Sequence, residues 1–177
     1  IGRELLRRAL MAVLISWVGI LIYVSARFEF KFAVAAVLAL IHDVLVILGA
    51  FAIMGREVNS PFIAAVLTII GYSINDTIVV FDKIRENLKH RKRESLEELV
   101  NRSILQTLSR SLNTVITTLL AIVAVYLFGG ATIKDFALAL IVGLISGTYS
   151  SIFIASPIWL MWHEWERTRQ KRLAVAR

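Results

Sequence analysis

Residues 62–81 read Phe-Ile-Ala-Ala-Val-Leu-Thr-Ile-Ile-Gly-Tyr-Ser-Ile-Asn-Asp-Thr-Ile-Val-Val-Phe. As a helix rising 1.5 Å per residue, this stretch is about 30 Å long, the thickness of a bilayer's hydrocarbon core. It therefore reads as a membrane span, and it carries one carboxylate, Asp76, into the membrane. Four further blocks of the same kind, Ala9 to Ala26, Phe32 to Ile53, Ser111 to Phe128 and Phe136 to Trp162, predict an all-α polytopic bundle of five transmembrane helices. Composition points the same way: 58% of the chain is hydrophobic, against roughly 45–50% in a soluble domain, and its mean hydropathy is +0.73.

The ends of the spans carry local signals. Pro61 suits a first helical turn, with Asn59 or Ser60 as its cap. Gly129-Gly130 closes the fourth span, and Pro157 bends the last. Ser95 and Glu98 form a capping box that opens an amphipathic stretch, Glu94 to Leu108, in which Leu96, Leu99, Val100, Ile104, Leu105 and Leu108 recur at helical spacing. This predicts an in-plane helix on the cytoplasmic surface, running into the fourth span and serving as an anchor or as a contact surface for partner subunits.

Orientation follows from the basic residues. Fifteen of the 20 Lys and Arg fall in the Arg27–Lys31 turn, the loop from Lys83 to Arg110 and the C-terminal tail. The positive-inside rule makes those segments cytoplasmic. The chain then divides into an outer lead-in (1–8), three spans (9–81), a cytoplasmic basic loop (82–110), two spans (111–162) and a cytoplasmic basic tail (163–177). The net charge of +7 reflects this orientation and attraction to anionic lipid, so no nucleic-acid partner is expected. The sequence has no Cys, and its three His show no ligand spacing. With no nucleophile, metal cluster or phosphate loop either, it does not read as an enzyme, and no cofactor and no metal are expected. It opens on Ile1-Gly2-Arg3-Glu4 with neither an initiator Met nor a signal-peptide pattern, which predicts a piece of something longer.

Two carboxylates lie inside spans, Asp43 and Asp76. An ionised Asp near a helix centre costs about 2.5–3.5 kcal/mol on insertion scales, so each should face protein or water. Thr68, Tyr72 and Asp76 share one face, with Asn75 beside them, and Arg110, Asn113, Thr114, Thr117 and Thr118 form a similar stripe on the fourth span. Both stripes are predicted to face the bundle interior. Asp76 sits ~8 Å inside the surface at which Arg110 enters, within reach of a long side chain. The alternative readings are an Arg110 that snorkels to lipid phosphate and an Asp76 that hydrogen-bonds a neighbouring helix.

Asp43 follows His42 directly, and helical neighbours point to different faces, so the two do not read as a relay pair. His42 reads as a structural donor, and Asp43 fits a proton carrier and a packing residue equally. Ala139, Gly143, Gly147 and Ser151, with Ala155, form a ridge of small residues for close helix packing. Trp159, Trp162 and Trp165 are predicted to mark the cytoplasmic interface.

The run Gly71-Tyr-Ser-Ile-Asn-Asp-Thr-Ile-Val-Val-Phe-Asp-Lys-Ile-Arg-Glu-Asn87 resembles the signature of the SecF family, accessory subunits of the bacterial Sec translocase. Ile1-Gly2-Arg3-Glu4-Leu5, His42-Asp43, Thr107-Leu108-Ser109-Arg110-Ser111 and Tyr126-Leu127-Phe128-Gly129-Gly130 resemble that family too. The resemblance implies one half of a transporter of the resistance-nodulation-division superfamily in the bacterial inner membrane, paired pseudosymmetrically with SecD in the same or a separate chain. It implies work beside SecYEG, YajC and YidC, pulling secreted preproteins with the proton motive force, or with Na+ in its place. Asp76 and Arg110 correspond to the family's proton-conducting charges. The family's first span and periplasmic domain have no counterpart in residues 1–177. A non-conducting translocon scaffold and a drug or lipid exporter of the same superfamily are the competing functions.

Overall fold

The computed structural model describes residues 2–91 and 93–175, so Ile1, Lys92 and Arg177, which enter the sequence reading, lie outside it. The described residues are helical and contain no strand: α1 (Gly2–Arg27), α2 (Phe30–Ile53), α3 (Ser60–Lys89), α4 (Leu96–Phe128), α5 (Ala131–Ser150), a π turn (Ser151–Ala155) and α6 (Ser156–Val175). Five stretches are long and apolar enough to cross a membrane, the last running through α5, the π turn and α6 from Ile133 to Gln170.

Sequence chemistry sets the ends of these helices. Asn59 Oδ1 accepts the Phe62 amide at 3.0 Å, with Pro61 in the first turn where its missing N–H costs nothing. Ser95 Oγ accepts from the Glu98 amide at 3.1 Å while Glu98 Oε2 accepts from the Ser95 amide at 2.8 Å. The disturbance expected at Pro157 is the π turn just before it. Proline has no amide hydrogen and its ring crowds the preceding turn; a widened turn lets the helix continue, and Ser156 Oγ donates to the Ser151 carbonyl at 3.1 Å.

α5 is the central helix, packed against α2, α3 and α4, while α1 lies at the edge on α2 and α3. Its outer face offers Leu14, Ile15, Val18 and Ile22 to the surroundings, as a lipid-facing helix does. The small-residue ridge meets α3: a Cβ on Gly143 would stand 2.2 Å from Ile69 Cδ1, and one on Gly147 would stand 3.0 Å from Ser73 Cβ. Close approach of two backbones is what such a ridge permits.

Two expectations change. The amphipathic stretch expected to lie in the membrane plane is the first half of α4, which runs unbroken from Leu96 to Phe128. Its Leu96, Leu99 and Val100 are buried by the protein itself, because Asn87 of α3 donates to Ser103 Oγ and Gln106 Oε1 at 2.8 and 3.0 Å and holds α3 against α4. Trp159 is a core residue, not an interfacial one: it is fully buried and stacks on Phe32 with ring centroids 4.7 Å apart. Phe32 also meets Phe81 at 4.8 Å, so one aromatic cluster joins α2, α3 and α6. Lys31 and Glu166 pair across the same end, between α2 and α6.

Candidate functional site

The two intramembrane carboxylates have opposite surroundings. Asp43, in the middle of α2, is 1% exposed. Its Oδ2 accepts from Ser73 Oγ of α3 at 2.7 Å and from Ser150 Oγ of α5 at 2.8 Å, and its Oδ1 accepts from Ser146 Oγ of α5 at 2.7 Å. His42 Nδ1 lies 3.3 Å from Oδ1, so the adjacent pair does touch, through a long contact at the edge of the site. Three hydroxyls from two other helices thus converge on one carboxylate, which cross-links α2, α3 and α5.

Asp76 sits one face round on α3. Its Oδ1 accepts from Ser111 Oγ of α4 at 2.5 Å, while its Oδ2 is buried and has no hydrogen-bond partner. Tyr72, one turn earlier, reaches α4 with its hydroxyl 3.1 Å from both the Thr114 carbonyl and Thr118 Oγ1. Between them lies a cavity of about 100 Å³, lined by Tyr72, Asn75, Asp76, Val79, Arg110 and Thr114. Asp76 and Arg110 share this cavity without forming an ion pair. Ser111, next to Arg110, holds the carboxylate instead.

The predicted polar stripes do not face the interior of this bundle. Thr68, Asn75, Asn113, Thr114 and Thr117 are exposed, and Tyr72 and Asp76 are half-buried. The line of α3 that faces α5 is Ile69, Ser73 and Thr77, all buried. It is displaced from Thr68, Tyr72 and Asp76 by one residue, or about 100° around the helix. Thr77 and Ser151, whose hydroxyls are 2.9 Å apart, continue that inner line toward the π turn. Ser73, Ser146, Ser150 and Ser111 are the residues that sequence reasoning did not assign to the carboxylates. Their only signal is the recurrence of small hydroxyls at i, i+4 within apolar spans, as in Ser146 and Ser150.

Residues 1–165 match the family described as protein export membrane protein SecD/SecF, C-terminal. The chain belongs to this SecD/SecF family. It is 53% identical over 165 residues to the protein translocase subunit SecF of Alicyclobacillus acidocaldarius, covering 92% of this chain and 54% of that protein. It is 52% identical over 165 residues to SecDF of Bacillus subtilis, covering 92% of this chain and 22% of that longer one. The crystal structure of SecDF from Thermus thermophilus, a translocon-associated membrane protein, superposes with a TM-score of 0.88 at 52% identity, over 93% of this chain and 23% of the other. SecDF in a super-membrane-facing form gives 0.91 at 49% identity, over 97% and 23%. The chain is therefore the C-terminal SecF-like part, spanning about half the length of the SecF relatives and under a quarter of SecDF. Within the SecD/SecF frame, the five spans identify a multi-pass membrane segment with one carboxylate on α2, held by Ser73 of α3, and one on α3, held by Ser111 of α4.

Proposed function

We propose that this chain is the membrane half of a SecF-type subunit that couples the proton gradient to export of preproteins, working with a SecD half in the translocon of the bacterial inner membrane. The observation that carries this reading is Asp76. It places a buried carboxylate oxygen without a partner in a small cavity beside Arg110, on a polar face that the chain itself leaves open. Ser111 is bonded to Oδ1 and Ser151 is the other hydroxyl near the carboxyl, so Oδ2 can take a proton while the bond to Ser111 is kept. A proton crossing 100 mV releases about 2.3 kcal/mol, so a few per cycle suffice to move packed elements between discrete states.

The open face supports the SecD partnership. Thr68, Asn75, Asn113, Thr114 and Thr117 are exposed beside apolar outward residues such as Leu112, Ile116 and Leu120, and polar groups are not left to lipid without cost. A second bundle against α3 and α4 would cover them. SecYEG, YajC, YidC and the preprotein complete the assembly in this reading, and Na+ in place of H+ is the variant that a gradient experiment distinguishes.

The test uses the full-length protein in inverted vesicles with a proton gradient, a sodium gradient or neither. The Arg110 side chain makes no hydrogen bond or ion pair with the described residues, so Arg110→Ala should leave folding and abundance unchanged while gradient-stimulated export falls to the level without a gradient, with SecD copurification measured alongside. Arg110→Lys keeps the charge but loses the planar fork and some reach, so partial stimulation is expected. Full stimulation in Arg110→Ala would remove the pair from the coupling step. Sidedness is checked separately with an impermeant thiol reagent on Val58→Cys and Arg93→Cys, both exposed and each at an opposite end of α3. With the connection between α3 and α4 cytoplasmic, only Val58→Cys should label from outside in intact cells; equal labelling would overturn the orientation.

A further inference from the structure

The geometry points to Asp43 as a second proton-binding site, in which Ser150 is the switching hydroxyl that lets the buried carboxyl hold either protonation state. A buried carboxylate normally suits one state only, because donors arranged for the anion leave a clash or an unpaired group once a proton arrives. This site has a way round that. With Asp43 ionised, Ser73, Ser146 and Ser150 all donate to it, at 2.7, 2.7 and 2.8 Å. Ser150 Oγ also lies 3.1 Å from the Gly147 carbonyl, a second acceptor for its single hydrogen. When a solvent proton adds to Oδ2, the new O–H donates to Ser150 Oγ, and the Ser150 hydroxyl turns its hydrogen to Gly147. One O–H bond forms, nothing is oxidised, and every hydrogen-bonding group remains paired. The Gly147 carbonyl accepts the Ser151 amide and, at 2.9 Å, Ser151 Oγ; that hydroxyl can turn its hydrogen to Thr77 Oγ1, also 2.9 Å away, which leaves a lone pair for the Ser150 hydrogen.

The surroundings restrict the alternatives. Among the described residues the one ionisable side chain touching Asp43 is His42 on its own helix, and Tyr149 of α5 lies beyond it, 6.2 Å from His42 between ring centroids. On α3 the nearest carboxylate, Asp76, is turned to Ser111 of α4, and no Lys or Arg pairs with Asp43 among the described residues. The hydroxyls contact the carboxylate directly at 2.7–2.8 Å, an arrangement that a proton enters without displacing any of them. The site also sits where it would be felt. Ser73, its donor on α3, is the residue that Gly147 of α5 approaches most closely, so rearranging the hydroxyls acts on the α3–α5 seam.

This extends the proton-coupled reading to a second carboxylate, and the experiment separates the two. Infrared difference spectra of the full-length protein in liposomes, recorded between high and low pH, should contain a protonated-carboxyl C=O band that is lost in Asp43→Asn and kept in Asp76→Asn. Ser150→Ala keeps the carboxyl and changes only the switching hydroxyl, so it should move the midpoint of that band by about one pH unit or more, the scale of one hydrogen bond to a charged group. If Asp43→Asn does not assemble, the Ser150→Ala midpoint decides alone. Spectra of Asp43→Asn that superpose on the parent's, an unmoved midpoint in Ser150→Ala, or a band that follows added Na+ at fixed pH would each overturn the assignment. None of these readouts depends on export, so a failure of the Asp76 reading leaves them intact.

Discussion

Asp76→Asn should reduce gradient-stimulated export to the level measured without a gradient, while the protein folds, accumulates and copurifies with SecD as before. The two parts of this expectation have separate physical grounds. The amide is nearly isosteric with the carboxylate, and its oxygen can still accept from Ser111, now at 2.5 Å from Oδ1. Its NH2 falls where Oδ2 lies, an atom with no hydrogen bond to lose, and the Ser151 hydroxyl nearby can turn to accept from it. The structural change is therefore one charged hydrogen bond made neutral and one buried NH2 to be paired, about 1–3 kcal/mol at a single site. The functional change is total, because an amide cannot take up a proton at any pH the cell experiences. A purely structural Asp76 would tolerate the substitution. Inverted vesicles assayed with and without a proton gradient decide the matter, and undiminished stimulation in Asp76→Asn would show that the residue carries no protons.

The local features of this chain were legible because their causes are local. Asn59 and Pro61 at the start of α3, Ser95 and Glu98 at the start of α4, and Gly129 at its end act within one turn, so spacing alone locates them. The same is true of span count and of the ridge from Ala139 to Ala155, where four-residue spacing puts small side chains on one face. Periodicity states which residues share a face, yet it does not state which neighbour that face meets. Thr68, Tyr72 and Asp76 do lie together, but α5 packs against the adjacent line, Ile69, Ser73 and Thr77, and the polar stripe is left open.

The Asp43 site was illegible for a different reason. Its donors lie 30, 103 and 107 residues away in sequence, and a serine in a membrane helix is ordinarily satisfied by its own preceding turn. Only the tertiary arrangement turns three of them toward one carboxylate. Trp159 was misplaced on similar grounds. Indoles gather at membrane interfaces, but the flat ring of Phe32, 13° from parallel, holds this one inside.

Gly143→Leu should be the most destabilising single substitution on the α5 ridge, by several kcal/mol. Even a methyl at this position would come within 2.2 Å of Ile69 Cδ1, 2.6 Å of Cγ1 and 2.9 Å of Cγ2. Because three carbons of one β-branched side chain surround the point, rotating Ile69 cannot clear it, and χ1 has little freedom in a helix. The helices must separate instead. Forcing extra carbons into a packed core costs about 1–3 kcal/mol by itself. Here separation also pulls Ser146 and Ser150, one and two turns further along α5, away from Asp43 and leaves a buried charge short of donors, which adds about 1–3 kcal/mol or more. Gly143→Ala should show the same effect in reduced form and be partly rescued by Ile69→Ala, which removes the carbons it meets. Leu144→Ile, also buried but volume-conserving, should cost less than about 1.5 kcal/mol. Thermal unfolding of the purified protein, followed by size-exclusion chromatography with fluorescence detection, orders the four variants. A Gly143→Leu protein that melts with the parent would mean that α5 and α3 are not held together at this seam.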